Sequence, residues 1–238
     1  MRKCIILIMF INLGLFAELQ RVVEFPESLS SQTTYLNSKF LLHLPVTKKS
    51  NQKWPLIVFL HGRGERGDNI EKVKSHGPPK VVEKDKNFPF MVLSPQCLKG
   101  KDGKGWWKTK DLDLLLDYVK KTYPVDEQRI YLTGLSMGGF GTWAWAAERP
   151  TEFAAIAPIC GGGNPLNAKR LSKLPIWVFH GDKDKVVPIT LSQLMVTALK
   201  AEGAKVDFTI YPNVGHNSWS KTYANPKLYE WFMEHKKE

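Results

Sequence analysis

Cysteine is scarce in this chain: three in 238 residues, at positions 4, 97 and 160. No CxxC pair, HExxH segment or acidic loop with ligand spacing is present, so the usual zinc and calcium frameworks are excluded and neither metal nor cofactor is expected. A P-loop is missing as well. Beyond the first 17 residues there is no second long apolar run, internal repeat, low-complexity tract or linker, which leaves one domain with a sizeable core. Basic residues are in excess, 34 Lys+Arg against 23 Asp+Glu for a formal +11, yet they never gather into a long run or a known nucleic-acid module. A solvated basic surface explains them, and no nucleic-acid partner is expected.

What is present begins with an address. Arg2-Lys3 supplies a positive start, and Ile5 to Phe16 is apolar but too short for a comfortable membrane span. Residues 1–17 therefore read as a secretory leader with Ala17 as the best cleavage point; the competing reading is an uncleaved interfacial anchor. The expected layout is a leader over 1–17, an N-terminal extension over 18–34 and a catalytic domain over 35–238, exported, with no stable membrane partner once the leader is removed. In an oxidising compartment Cys97 and Cys160 form an even pair. Each follows an apolar run, so both sit near one edge of the sheet. With strands three positions apart they would be roughly 14 Å from each other, beyond disulfide reach unless the loops fold back.

The interior of the chain alternates. Tyr35 to Leu44 reads as an outer strand closed by Pro45, with a polar turn over Thr47 to Lys53. Pro55–Leu60, Phe90–Leu93, Ile130–Leu132, Phe153–Ile159, Ile176–Phe179 and Val206–Tyr211 are apolar runs suited to parallel strands covered on both faces. Helical segments lie between them at Leu112–Lys121, Gly139–Glu148, Ile189–Glu202 and Lys221–His235. Strands alternating with helices imply an α/β class with a doubly wound, mostly parallel sheet flanked by helices. Ligands in such sheets bind beyond the carboxyl ends of the strands, and there the chemically capable groups fall: His61-Gly-Arg-Gly64, Ser136, His180 to Asp184 and Gly215-His216.

Gly134-Leu-Ser-Met-Gly138 stands between a strand and a helix, the setting of a nucleophile elbow. The turn is so sharp that the residues flanking the serine must be nearly without side chains. It exposes Ser136 Oγ and leaves the Met137 N–H at a helix N-terminus, facing a developing oxyanion. A serine needs a base, and the base needs a carboxylate to fix its tautomer. The chain order Ser, acid, His selects Ser136, Asp184 and His216; Asp182 competes for the acid but is better placed to cap its turn. His61 and His180 each precede glycine at a strand end, where packing and backbone hydrogen bonds occupy such residues. His43, His76 and His235 have no carboxylate positioned to orient them. Gly62 to Gly67 also matches GxGxxG, but the residues after it are largely polar and lead to Gly77-Pro-Pro79, so the crossover helix of a dinucleotide site is missing. Read as His-Gly-x-Gly, the same stretch offers a second oxyanion donor, the Arg63 N–H, with Gly64 as the alternative.

The segments Pro55 to Gly67, Ser94-Pro-Gln-Cys97, Trp106-Trp107, Arg129 to Trp143, Ala157 to Gly162, His180 to Pro188 and Gly215-His216 together resemble a group of secreted bacterial α/β-hydrolases. This is the esterase group related to phospholipase/carboxylesterases, polyhydroxybutyrate depolymerases and feruloyl esterases, often labelled "predicted peptidase". The resemblance runs from about residue 35 to the C-terminus. It implies the α/β-hydrolase fold and a Ser-His-Asp carboxylesterase, with those roles on Ser136, His216 and Asp184. The expected substrate is a small-molecule or polysaccharide-linked ester, with acetyl and feruloyl esters among the candidates. Lys99 to Lys110 should overhang the site, where Trp106 and Trp107 either stack on substrate or pack the loop. The rival readings are a serine peptidase with the same triad and a binding protein that keeps the fold without the chemistry.

Overall fold

The computed structural model describes residues 20–46, 52–85 and 87–237. The leader over 1–17 and most of the turn over 47–53 lie outside the described residues. Eight strands form one sheet: β1 (Gln20–Glu24), β2 (Leu36–His43), β3 (Trp54–Leu60), β4 (Met91–Cys97), β5 (Val125–Leu135), β6 (Ala155–Ile159), β7 (Ile176–Gly181) and β8 (Val206–Tyr211). Their spatial order is β1-β2-β4-β3-β5-β6-β7-β8. β1 and β2 run antiparallel to their neighbours, and β4 through β8 are parallel.

The parallel strands are apolar along their whole length because both faces are covered. Leu56, Val58 and Leu60 of β3 face one core cluster, which also holds Leu112, Leu115, Trp143 and Met195. Ile57 and Phe59, pointing the other way, join Val82, Tyr223, Leu228 and Phe232. On the first face lie α3 (Thr109–Thr122), α4 (Met137–Glu148) and α6 (Thr190–Ala201), to which the short α5 (Ala168–Leu171) adds a turn. On the second lie α2 (Gly77–Val82), α7 (Trp219–Tyr223) and α8 (Pro226–Glu234). The remaining helix, α1 (Glu27–Ser30), is a single turn between β1 and β2.

Three expectations need correction. The sheet starts before residue 35, because β1 pairs with β2 from Gln20↔His43 to Glu24↔Lys39. The helix expected over Lys221–His235 is two helices. Pro226 has no N–H to continue the first and disfavours helical dihedrals at Asn225, whose side chain accepts from Lys227 N and starts the second. β8 is an edge strand in which no residue is fully buried, so it is not covered on both faces. Cys97 ends β4 and Cys160 directly follows β6, strands three positions apart in the sheet, and both thiols are free and buried.

Candidate active site

β5 lies centrally between β3 and β6, and its last residues feed directly into α4. The connection is a single residue, Ser136, at φ 53° and ψ −115°. Its N–H donates to Ile159 O (3.0 Å) and its carbonyl accepts from Phe140 N (3.0 Å), so the strained turn is tied at both sides. The glycines around it permit close backbone approach: a Cβ on Gly138 would meet Leu60 O, and one on Gly134 would meet the carbonyl of Gly138. The sequence therefore needs glycine at both positions for β5, the turn and α4 to fit against the end of β3.

The candidate acid and base arrive on adjacent loops. Asp184 follows β7 and His216 follows β8. The two loops are stitched together by Asp182 N–H donating to Tyr211 O (3.1 Å) and Lys183 N–H to Val214 O (2.9 Å). Without a side chain, Gly181 lets the Val214 and Gly215 carbonyls pack against its Cα. His216 Nδ1 is 2.7 Å from Asp184 Oδ2, and His216 Nε2 is 2.9 Å from Ser136 Oγ. The order is hydroxyl, imidazole, carboxylate, with the Nδ1–H donating to the acid. Asp182, the competing carboxylate, is exposed and belongs to the turn.

Asp184 is well prepared to stay ionised. Burial alone would raise its pKa, but the hydrogen bond from His216 and the Val187 and Val186 N–H groups on Oδ1 (2.9 Å each) outweigh it, and the net shift is downward. Behind it, His180 contacts Ser192 Oγ (2.8 Å), Val187 O (2.9 Å) and Asp184 Oδ2 (3.2 Å). His180 is fully buried and its pKa is lowered, chiefly by that burial. It therefore braces the acid loop and is not the base.

The candidate oxyanion donors come from two elements. Met137 is the first residue of α4, so its N–H has no intrahelical acceptor. Arg63 opens a 3-10 turn over Arg63–Glu65, immediately after His61-Gly62 at the end of β3. Three side chains hold this turn in place, and two of them, Arg66 and Gln96, were not singled out by sequence reasoning. Arg66 Nε donates to Arg63 O (3.3 Å), and its Nη1 reaches the carbonyls of Gly105 (2.6 Å) and Gly103 (3.2 Å). Gln96 Nε2 donates to Glu65 O (2.8 Å) and Asn69 O (2.7 Å). His61 Nε2 accepts from Cys97 N–H (2.9 Å), which leaves Nδ1–H to donate to Gly62 O (2.6 Å); burial pushes its pKa down to about 4. The only hint in the sequence is that Arg66 and Gln96 sit inside motifs shared with the hydrolase group.

The two tryptophans part company. Trp107 is only 6% exposed, donates from Nε1 to His61 O (3.2 Å) and abuts Gly141 of α4, so it supports the site from inside and cannot stack on substrate. Trp106 is 43% exposed and meets Phe140 edge-on. Among the described residues, Cys160, Asp184 and His216 carry potential metal-ligand atoms within 4.8 Å of one another. The site does not suit a cation: Asp184 and His216 are bonded to each other, and burial pushes the Cys160 thiol up to about 12, which keeps it protonated at neutral pH. No helix among the described residues is long and apolar enough to cross a membrane.

Comparison with known proteins places this geometry among hydrolases. The bifunctional acetylxylan esterase/xylanase XynS20E of Neocallimastix patriciarum is 31% identical over 140 residues, covering 56% of this chain and 20% of its own length. A probable feruloyl esterase C of Aspergillus niger is 26% identical over 196 residues, covering 77% of this chain and 69% of its own length. A thermostable esterase of known crystal structure superposes with a TM-score of 0.71 at 36% identity, over 83% of this chain and 59% of that one. The chain thus spans a fifth of the first relative and less than two thirds of the crystallised esterase. Its sheet and its strand–turn–helix around Ser136 are those of the α/β-hydrolase fold. The profile of the Dienelactone hydrolase family covers residues 45–227, and the chain belongs to that family.

Proposed function

We propose that the protein hydrolyses carboxylic esters through an acyl-enzyme on Ser136. One observation carries the reading: Asp184, His216 and Ser136 are linked by two consecutive hydrogen bonds of 2.7 and 2.9 Å. His216 Nε2 takes the hydroxyl proton as Ser136 Oγ bonds to the ester carbonyl carbon, and Asp184 stabilises the imidazolium. The carbonyl oxygen becomes an oxyanion facing the Met137 and Arg63 N–H groups. On collapse the C–O bond to the alcohol breaks and His216 returns its proton to the leaving oxygen. Water then repeats the sequence, with His216 again as base, and frees the acid.

The names of the relatives favour esters over amides, and their acetylxylan and feruloyl esters motivate plant-wall-linked acyl groups as the natural class. Trp106 is the residue of the overhanging loop open to a sugar or an aromatic acyl group. Export is part of the proposal, supported by the basic start and short apolar run over residues 1–17. The test compares nitrophenyl acetate and butyrate with peptide anilides, using wild type and Ser136→Ala. Ester turnover that vanishes in the variant is the expected result. Turnover of anilides alone would replace the reading with a peptidase, and equal inertness of both proteins would leave a binding protein.

A further inference from the structure

His216 must protonate the departing alcohol, so the alcohol half of a substrate lies on the imidazole's side of Ser136. His216 packs edge-on against Trp219 (ring centroids 5.2 Å apart, 87°), and His76 packs against the same indole at 5.6 Å. Trp219 and His76 together open a cavity of about 450 Å³. Its walls are Tyr223, Tyr229 and Phe88. The phenols of both tyrosines are already engaged: Tyr223 OH lies 3.0 Å from Thr133 Oγ1, and Tyr229 OH donates to Tyr223 O (2.9 Å). The walls therefore present ring surface, and the cavity is lined mostly by apolar groups. At the rim stand Lys80 and Lys84, both exposed. Asp85 is the one carboxylate among the described lining residues, and it already caps a turn by accepting from Asn87 N (2.9 Å).

We propose that this cavity holds the leaving alcohol of the substrate, and that the alcohol it selects is a ring bearing a carboxylate at its outer end. The aromatic walls accept the ring, and the two rim lysines meet the anion. The inference rests on the esterase reading for its orientation but concerns a separate set of residues. Exposed ion pairs are weak and screened by salt, so two lysines give an acid-over-amide preference on the order of two- to thirtyfold at low salt.

The probe is a matched pair, 3-carboxyphenyl acetate and 3-carbamoylphenyl acetate, with kcat/KM divided by the uncatalysed rate of each. Binding of the two product phenols, 3-hydroxybenzoate and 3-hydroxybenzamide, is measured in parallel by calorimetry. Wild type should favour the carboxylate in both assays, and Lys80→Gln/Lys84→Gln should bring both ratios to about one. Lys169→Gln/Lys173→Gln, with the same loss of charge elsewhere on the surface, should keep the preference. Equal ratios in wild type, or equal losses in both lysine pairs, overturn the proposal. Preferential binding of the acid without turnover of either ester would sink the hydrolase reading and leave the cavity assignment standing.

Discussion

Asp184 divides its two oxygens between different tasks: Oδ2 faces His216 while Oδ1 accepts from two backbone N–H groups. An amide in its place would present an NH2 either to the imidazole or to those donors, and each arrangement breaks a bond the site needs. Asp184→Asn should therefore lower kcat by about 10⁴, with the wrong histidine tautomer as the cause. Asp182→Asn should stay within a few-fold of wild type, since its carboxylate is exposed. Ester turnover of the two variants checks this, and a larger loss at Asp182 would reassign the acid. At this scale the hydrogen-bonded set of Ser136, His216 and Asp184 was legible before any coordinates, because the elbow pins the serine and chain order pins its partners. Trp107 was not. Its indole is as apolar in sequence as that of Trp106, and only packing against His61 and Gly141 decides which ring turns inward.

The turn after β3 shows what an element contributes beyond its own residues. Arg63 can aim its N–H at an oxyanion only if the 3-10 turn keeps its shape, and Arg66 fastens that turn to Gly103 and Gly105 of the loop between β4 and α3. Removing the guanidinium frees two segments at once. Arg66→Gln should lower kcat by about ten- to a hundredfold, short of the full loss expected for deleting a donor, while KM for a methyl ester stays within about twofold. Arg66→Lys should not rescue, because one ammonium cannot span three carbonyls as a planar fork does. Equal losses in kcat and affinity would instead mark a general collapse of the loop. Helices and parallel strands were readable from period and apolar runs. The turn's fastening was not, since Gln96 and Arg66 are ordinary polar residues until β4 and β3 become neighbours. The sheet's first strand escaped for a related reason: Gln20–Glu24 carries a half-exposed edge pattern that only its pairing with β2 makes recognisable.

At the scale of the whole molecule, the site edge of the sheet contains a histidine that folding keeps neutral. His61 has no exposure, and burial brings its pKa from an ordinary 6.5 to about 4. Its depressed folded value means the unfolded chain binds a proton first as pH falls. The stability it contributes is complete above pH 6.5 and is lost progressively on the way down to about 4. A tenfold weakening of proton binding corresponds to about 1.36 kcal/mol, so between about pH 7.5 and 4.5 the native state should lose on the order of 2–3 kcal/mol through this residue alone. His180, also lowered by burial, adds loss in the same direction. Asp184 enters later, because a carboxylate with a lowered folded pKa begins to cost stability only as pH drops below its ordinary value of 3.8. Denaturant unfolding of wild type and His61→Asn at the two pH values isolates the contribution of His61. The variant starts less stable, having lost the bonds to Cys97 N and Gly62 O, but its stability should fall less with acid by about the amount stated. Parallel losses in the two proteins would mean that the acid sensitivity of the fold originates elsewhere. A steeper fall in the variant would mean that His61 is charged in the native state, which would overturn the neutral form assigned from its bond to Cys97 N–H.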